Sequence, residues 1–129
     1  MTTASDIVSS ALKMIGVVDA NTTVDATDAA DGLTKLNDMI QSWAAKSVYT
    51  GAPVLALADE FPFEDHHVLG VKAMLAVQLA PDYQKEAPPM VQRNAREGWS
   101  AIFSDFFVDE KTPVDLGLQG MPSQRWWAR

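Results

Sequence analysis

The chain has 129 residues, 47% of them hydrophobic, and a formal net charge of -7. That is one domain with enough apolar material for a core, and its acidity disfavours tight binding to a phosphate backbone, which needs a positive footprint. With no cysteines, disulfides and thiolate metal sites are excluded.

The acid excess is concentrated in residues 1 to 64, where nine acids (Asp6, Asp19, Asp25, Asp28, Asp31, Asp38, Asp59, Glu60, Glu64) stand against Lys13, Lys35 and Lys46. A solvated acidic face explains this. So would a surface that DNA must slide past without sticking. The segment Met1 to Asp6 has no basic region and no long apolar run, so no secretion or membrane targeting is expected.

In chain order, a first helix is expected over about 4 to 15. Thr3 and Asp6 form a capping-box-like pair at its start, Val8, Ala11, Leu12 and Ile15 form the buried stripe, and Gly16 suits its C′ position. A second helix, about 26 to 45, carries Ala29, Leu33, Leu36, Ile40 and Trp43 at alternating steps of four and three, the spacing of an antiparallel bundle seam. Gly32 costs about 1 kcal/mol inside it and implies close approach of another helix.

Residues 47 to 64 break helical pattern at Gly51, Pro53 and Pro62, yet Val54, Leu55, Leu57, Phe61 and Phe63 are too apolar to stay solvated. The segment reads as an extended loop that buries these side chains against its own body or against a partner. Contact with a neighbouring subunit through those five residues is the working expectation.

The third helix, about 65 to 80, is apolar nearly all round and reads as the buried centre of the fold. Val68, Val71, Leu75 and Leu79 form a large side. Gly70, Ala73, Ala76, Val77 and Ala80 form a small side that admits another backbone, from this chain or a second copy. It falls short of the roughly 20 apolar residues that cross a bilayer. A fourth helix, about 88 to 107, can take Pro88-Pro89 in its first turn. Val91, Ala95, Trp99, Ile102, Phe103 and Phe106 are its expected buried face, with Arg93, Arg96, Glu97, Ser100 and Asp105 outside. Gly98 again implies close packing.

The fold class is therefore all-α: an antiparallel four-helix bundle over residues 1 to 107, with a long apolar loop and an extended C-terminal arm, 108 to 129. The arm has no helical or strand period, but it holds Leu116, Leu118, Met121, Arg125, Trp126, Trp127 and Arg129. Trp and Arg dominate interface hot spots, so the arm reads as an anchor docking on another subunit.

Chemistry finds little support. His66 and His67 follow two acids, but adjacent helical residues diverge by about 100° and no third histidine exists, so no metal is expected. There is no phosphate-binding glycine loop, no nucleophile elbow and no arguable carboxylate pair. Neither catalysis nor a cofactor is expected.

The segment Ile7 to Val17, then an acidic turn, then Asp28-Ala29-Ala30-Asp31-Gly32-Leu33-Thr34-Lys35-Leu36-Asn37-Asp38-Met39-Ile40-Gln41-Ser42-Trp43, resembles the head-to-tail adaptors of short-tailed bacteriophages, also called tail accessory factors or head completion proteins. Ala80-Pro81-Asp82-Tyr83 after an apolar helix is similar too. The resemblance covers roughly residues 4 to 107. It implies a virion protein in the neck between head and tail, assembled in the host cytoplasm. Its copies would form a ring, of twelve, beneath the portal protein. The ring would extend the channel through which double-stranded DNA passes without specific binding, help retain the genome, and meet a tail tube or nozzle protein. No membrane partner is implied. The other reading is a small acidic helical-bundle module with a binding or regulatory role.

Overall fold

The computed structural model describes residues 2–19 and 21–108. Four helices account for most of them: α1 (Ala4–Met14), α2 (Ala26–Ser42), α3 (Asp65–Leu79) and α4 (Pro89–Phe106). Single 3-10 turns, Trp43–Lys46 and Ala80–Tyr83, extend α2 and α3. The fold is an all-α bundle, and each helix lies within three residues of its expected limits.

Both ends of α1 are closed by the residues that signal them. Thr3 Oγ1 accepts from the Asp6 amide at 3.3 Å while the Thr3 amide donates to Asp6 Oδ2 at 3.0 Å, a reciprocal capping box. At the other end Gly16 takes φ +78°. Its amide donates to the Lys13 carbonyl and the Val17 amide to the Leu12 carbonyl, the 5→2 and 6→1 pairing of a Schellman motif.

Helix α3 is the hub, packed against α1, α2 and α4. Both of its sides are buried. Val71, Leu75 and Leu79 lie in the core, and so do Ala73, Ala76 and Ala80. The small side receives a helix of its own chain: a Cβ built on Gly70 would stand 2.6 Å from the Cα of Gly98 in α4. Likewise a Cβ on Gly32 of α2 would collide with the Val8 side chain of α1. On α4, Val91 and Ile102 are buried but Phe103 is exposed, contrary to expectation. Among the helices α4 packs mainly on α3, so its apolar face is narrow and Phe103, about 100° round from Ile102, falls outside it.

Residues 47–64 form a strap that ties three helices together. Val48 bridges to Phe107 at the end of α4, with the Val108 amide donating to the Ser47 carbonyl at 2.9 Å. The strap then crosses α2. There Asn37 pairs with the backbone of Leu55 in both directions, Nδ2 donating to the carbonyl at 3.0 Å and Oδ1 accepting from the amide at 2.9 Å. It finishes on α1, where the first two helical amides, of Ala4 and Ser5, donate to the carbonyls of Asp59 and Leu57 at 3.0 Å. Those amides have no partner within their own helix. Leu55, Phe61 and Phe63 fill the core beneath.

Replacing Gly98 with alanine should destabilise the chain even though alanine favours helix by about 1 kcal/mol. The added methyl meets backbone, which cannot rotate away, so overpacking of about 1–3 kcal/mol or more should dominate. Thermal melts of Gly98→Ala and Gly70→Ala should both fall below wild type. An unchanged or raised midpoint would mean that the helices are not in contact here.

Candidate functional site

The end of the bundle formed by the start of α3 and the close of α4 gathers most of the aromatic side chains among the described residues, and both histidines. Trp43 lies 5.8 Å, centroid to centroid, from Trp99 and 5.9 Å from Phe63, and Phe63 stacks on Phe61 at 4.9 Å. Phe103 and Phe107 stack at 4.5 Å on the outside. With Val108 they form an exposed apolar edge where the described chain gives way to residues 109–129.

Against this cluster sit His66, His67 and Asp105. The His67 side chain is 2% exposed, and its Nε2 lies 2.8 Å from Asp105 Oδ2. His66 Nε2 reaches the same oxygen at 3.3 Å. Hydrogen bonds from His66 and then His67 hold the Asp105 carboxyl below its usual pKa. Adjacent histidines, expected to diverge too far to chelate one ion, here converge on one carboxylate oxygen. A side chain tilts toward the N-terminus of its own helix. On antiparallel helices that tilt sends His66 and His67 toward the end of α4 and Asp105 back toward them. The contact spans 38 and 39 positions of sequence, and Asp105 carried no local mark of it.

At the other end of α3 the contacts are of another kind. Tyr83 donates its hydroxyl hydrogen to Asp28 Oδ1 at 3.0 Å, and Lys35 Nζ stands 3.1 Å from Asp82 Oδ2. Burial, with the Asp28 hydrogen bond next in weight, pushes the Tyr83 phenol up to about 12 from 10.0. Asp28 and Lys35 belong to one sequence stretch that marks the family resemblance, and Asp82 and Tyr83 to the other. Those stretches are therefore latches between α2 and the turn after α3.

Of the residues expected to meet a neighbouring subunit, Leu55, Phe61 and Phe63 are packed inside their own protomer and Leu57 is half-buried. Only Val54, 71% exposed, stands clear of the core. The loop's apolar content serves chiefly its own bundle, because without it the sides of α1 and α2 that it covers would face water. Leu116, Leu118, Met121, Arg125, Trp126, Trp127 and Arg129 lie outside the described residues.

A groove of about 240 Å³ runs between α2, α3 and α4, lined by Met39, Trp43, Lys46, Met74, Val77, Gln78, Ala95, Arg96 and Trp99. Lys46 Nζ lies 5.1 Å from the centre of the Trp99 ring. The lining holds no nucleophile and no acid and base pair of the kind hydrolysis uses. Among the described residues no helix is long and apolar enough to cross a membrane.

Among known families, the model of the P22 tail accessory factor matches residues 1–117. The chain belongs to the P22 tail accessory factor family. No curated protein sequence matches it. Membership makes it a phage tail accessory protein, of a structural family. The shared sequence accordingly reads as packing and latching residues.

The Tyr83 latch has a pH signature. A phenol whose pKa is higher folded than unfolded holds its proton more tightly in the folded state. Its contribution is full below the unfolded value of 10.0 and is lost as pH rises toward about 12. Tyr83→Phe should lose about 1 kcal/mol at neutral pH with the hydrogen bond. It should also show a shallower fall in urea midpoint than wild type across that alkaline window. Parallel curves for the two proteins would show that the phenol is not held by Asp28.

Proposed function

We propose that this tail accessory factor is a head-to-tail adaptor. Copies form a ring, of twelve, beneath the portal. The ring prolongs the DNA channel, helps to retain the packaged genome, and presents a platform to the tail tube or nozzle protein. The observation that carries the reading is the family match across residues 1–117, which takes in the whole bundle and the beginning of the arm.

Two features support it. The exposed edge of Phe103, Phe107 and Val108 leads straight into an arm whose sequence ends in two tryptophans flanked by Arg125 and Arg129. Apolar surface continuous with an aromatic segment suits burial between subunits. The arm docks on the portal or on an adjacent adaptor through Leu116, Leu118, Met121, Trp126 and Trp127, while its arginines pair with acids of the partner and set orientation. The net charge of -7 suits a channel wall of acidic or neutral side chains, since each cation set against phosphate adds a counterion-release attraction that would hold the DNA.

Sedimentation of the full chain mixed with portal should give a ring-sized complex. A chain ending at Val108 should keep its helical circular dichroism and cooperative melt but fail to bind portal. Alanine at Trp126 or Trp127 should each cost about 2 kcal/mol or more, roughly a thirtyfold loss of affinity. Undiminished portal binding by the shortened chain would remove the arm from the interface. A full-length protein that stays monomeric beside portal would instead favour a small acidic binding module.

A further inference from the structure

We propose that His66, His67 and Asp105 form a binding site for a divalent transition-metal ion of the zinc class. Three donor atoms, one ring nitrogen of each histidine and a carboxylate oxygen of Asp105, all lie within 4.8 Å of one another. Donors around a tetrahedral zinc, each about 2.0–2.1 Å from it, are about 3.3 Å apart. The two pairs that include Asp105 already stand at 3.3 Å and 2.8 Å. A tetrahedral set therefore asks for a small adjustment of the donors. The His66 and Asp105 side chains, 59% and 48% exposed, are free to make that adjustment around a buried, fixed His67.

The donor chemistry selects the ion. Two imidazoles and one carboxylate suit zinc, cobalt, nickel or copper, whereas magnesium and calcium prefer sets made wholly of oxygen. Binding requires each histidine to present a bare Nε2 and carry its hydrogen on Nδ1. For His66 a carboxylate is at hand, Glu64 Oε2 at 3.8 Å from Nδ1, the outer partner that metal-bound histidines commonly use. For His67 no hydrogen-bond partner faces Nδ1. Its ring packs between Phe63 and Phe106, so the shifted hydrogen gains at most a weak aromatic contact. The site should therefore bind more weakly than a closed four-ligand structural zinc site. Three protein ligands leave a fourth position, open on the side where His66 and Asp105 meet solvent, for water or for a side chain of another subunit.

An ion there would clip the first turn of α3 to the last turn of α4, three residues before Val108. Calorimetric titration of the untagged full-length chain with zinc chloride should give one ion per chain, and magnesium chloride should give no comparable heat. His66→Gln and Asp105→Asn, both at exposed side chains, should each lower zinc affinity tenfold or more while retaining wild-type circular dichroism. Nitrogen-detected imidazole spectra should show the Nε2 signal of buried His67 shifting in step with zinc. Absence of saturable zinc binding, retention of full affinity by both variants, or equal binding of magnesium would each overturn the assignment.

Discussion

The contact on which the rest of the fold depends is the meeting of two helix backbones at Gly70 and Gly98. A side chain on either would run into the main chain of the other, and main chain cannot move aside as a rotamer can. With both positions bare, α4 lies directly on the small side of α3. That one placement sets Trp99 beside Trp43 and puts Asp105 opposite His66 and His67. The lost helix propensity, about 1 kcal/mol for each glycine, is offset by the apolar area buried along the two helices.

A helix apolar all round has to be covered all round, and four helices alone leave gaps. The strap of residues 47–64 closes part of them, with Leu55, Phe61 and Phe63 buried in the core. Its backbone polar groups would be costly to leave bare, and their partners come from the helices themselves: the Asn37 amide for Leu55 and the unpaired first amides of α1 for Leu57 and Asp59. Helix ends and loop thus satisfy each other. That is how a long segment without regular structure can sit in the core at all.

The helices were legible because their signals are local. The capping box at Thr3, the glycine after Ile15, the prolines before α4 and the period of the apolar residues each act within a turn or two of chain. The three helical glycines were legible as close approaches for the same reason, although sequence left open whether α3 would meet its own chain or a second copy. The destination of the strap was not legible. Whether Leu55 or Phe63 turns inward depends on Asn37 and Trp43 being nearby in space, and an apolar loop looks the same in sequence whether its partner is its own body or a neighbour. The convergence of the histidines on one carboxylate was not legible for a geometric reason. The 100° divergence of adjacent residues was applied at the Cα, while the long imidazole side chains, tilted along the helix, reconverge on a carboxylate from the facing helix.

The two ends of α3 are about 22 Å apart, from 15 residues at 1.5 Å each, and they differ in character. One carries stacked aromatics and the histidines, the other Asp28, Asp31, Lys35, Asp82 and Tyr83. Three of the seven basic side chains among the described residues are engaged. Lys35 is paired with Asp82 and Arg93 with Glu97, each at 3.1 Å, and Lys46 lies over Trp99. Exposed pairs of this kind add little stability, about 0–1 kcal/mol each. Their larger effect is on the field: a cation held beside a carboxylate is a dipole at the distance of a passing phosphate, and its attraction falls off faster than that of a lone charge. On the adaptor role proposed above, a bundle built in this way would offer an apolar end to protein neighbours while its acidic surface kept a polyanion close by from adhering.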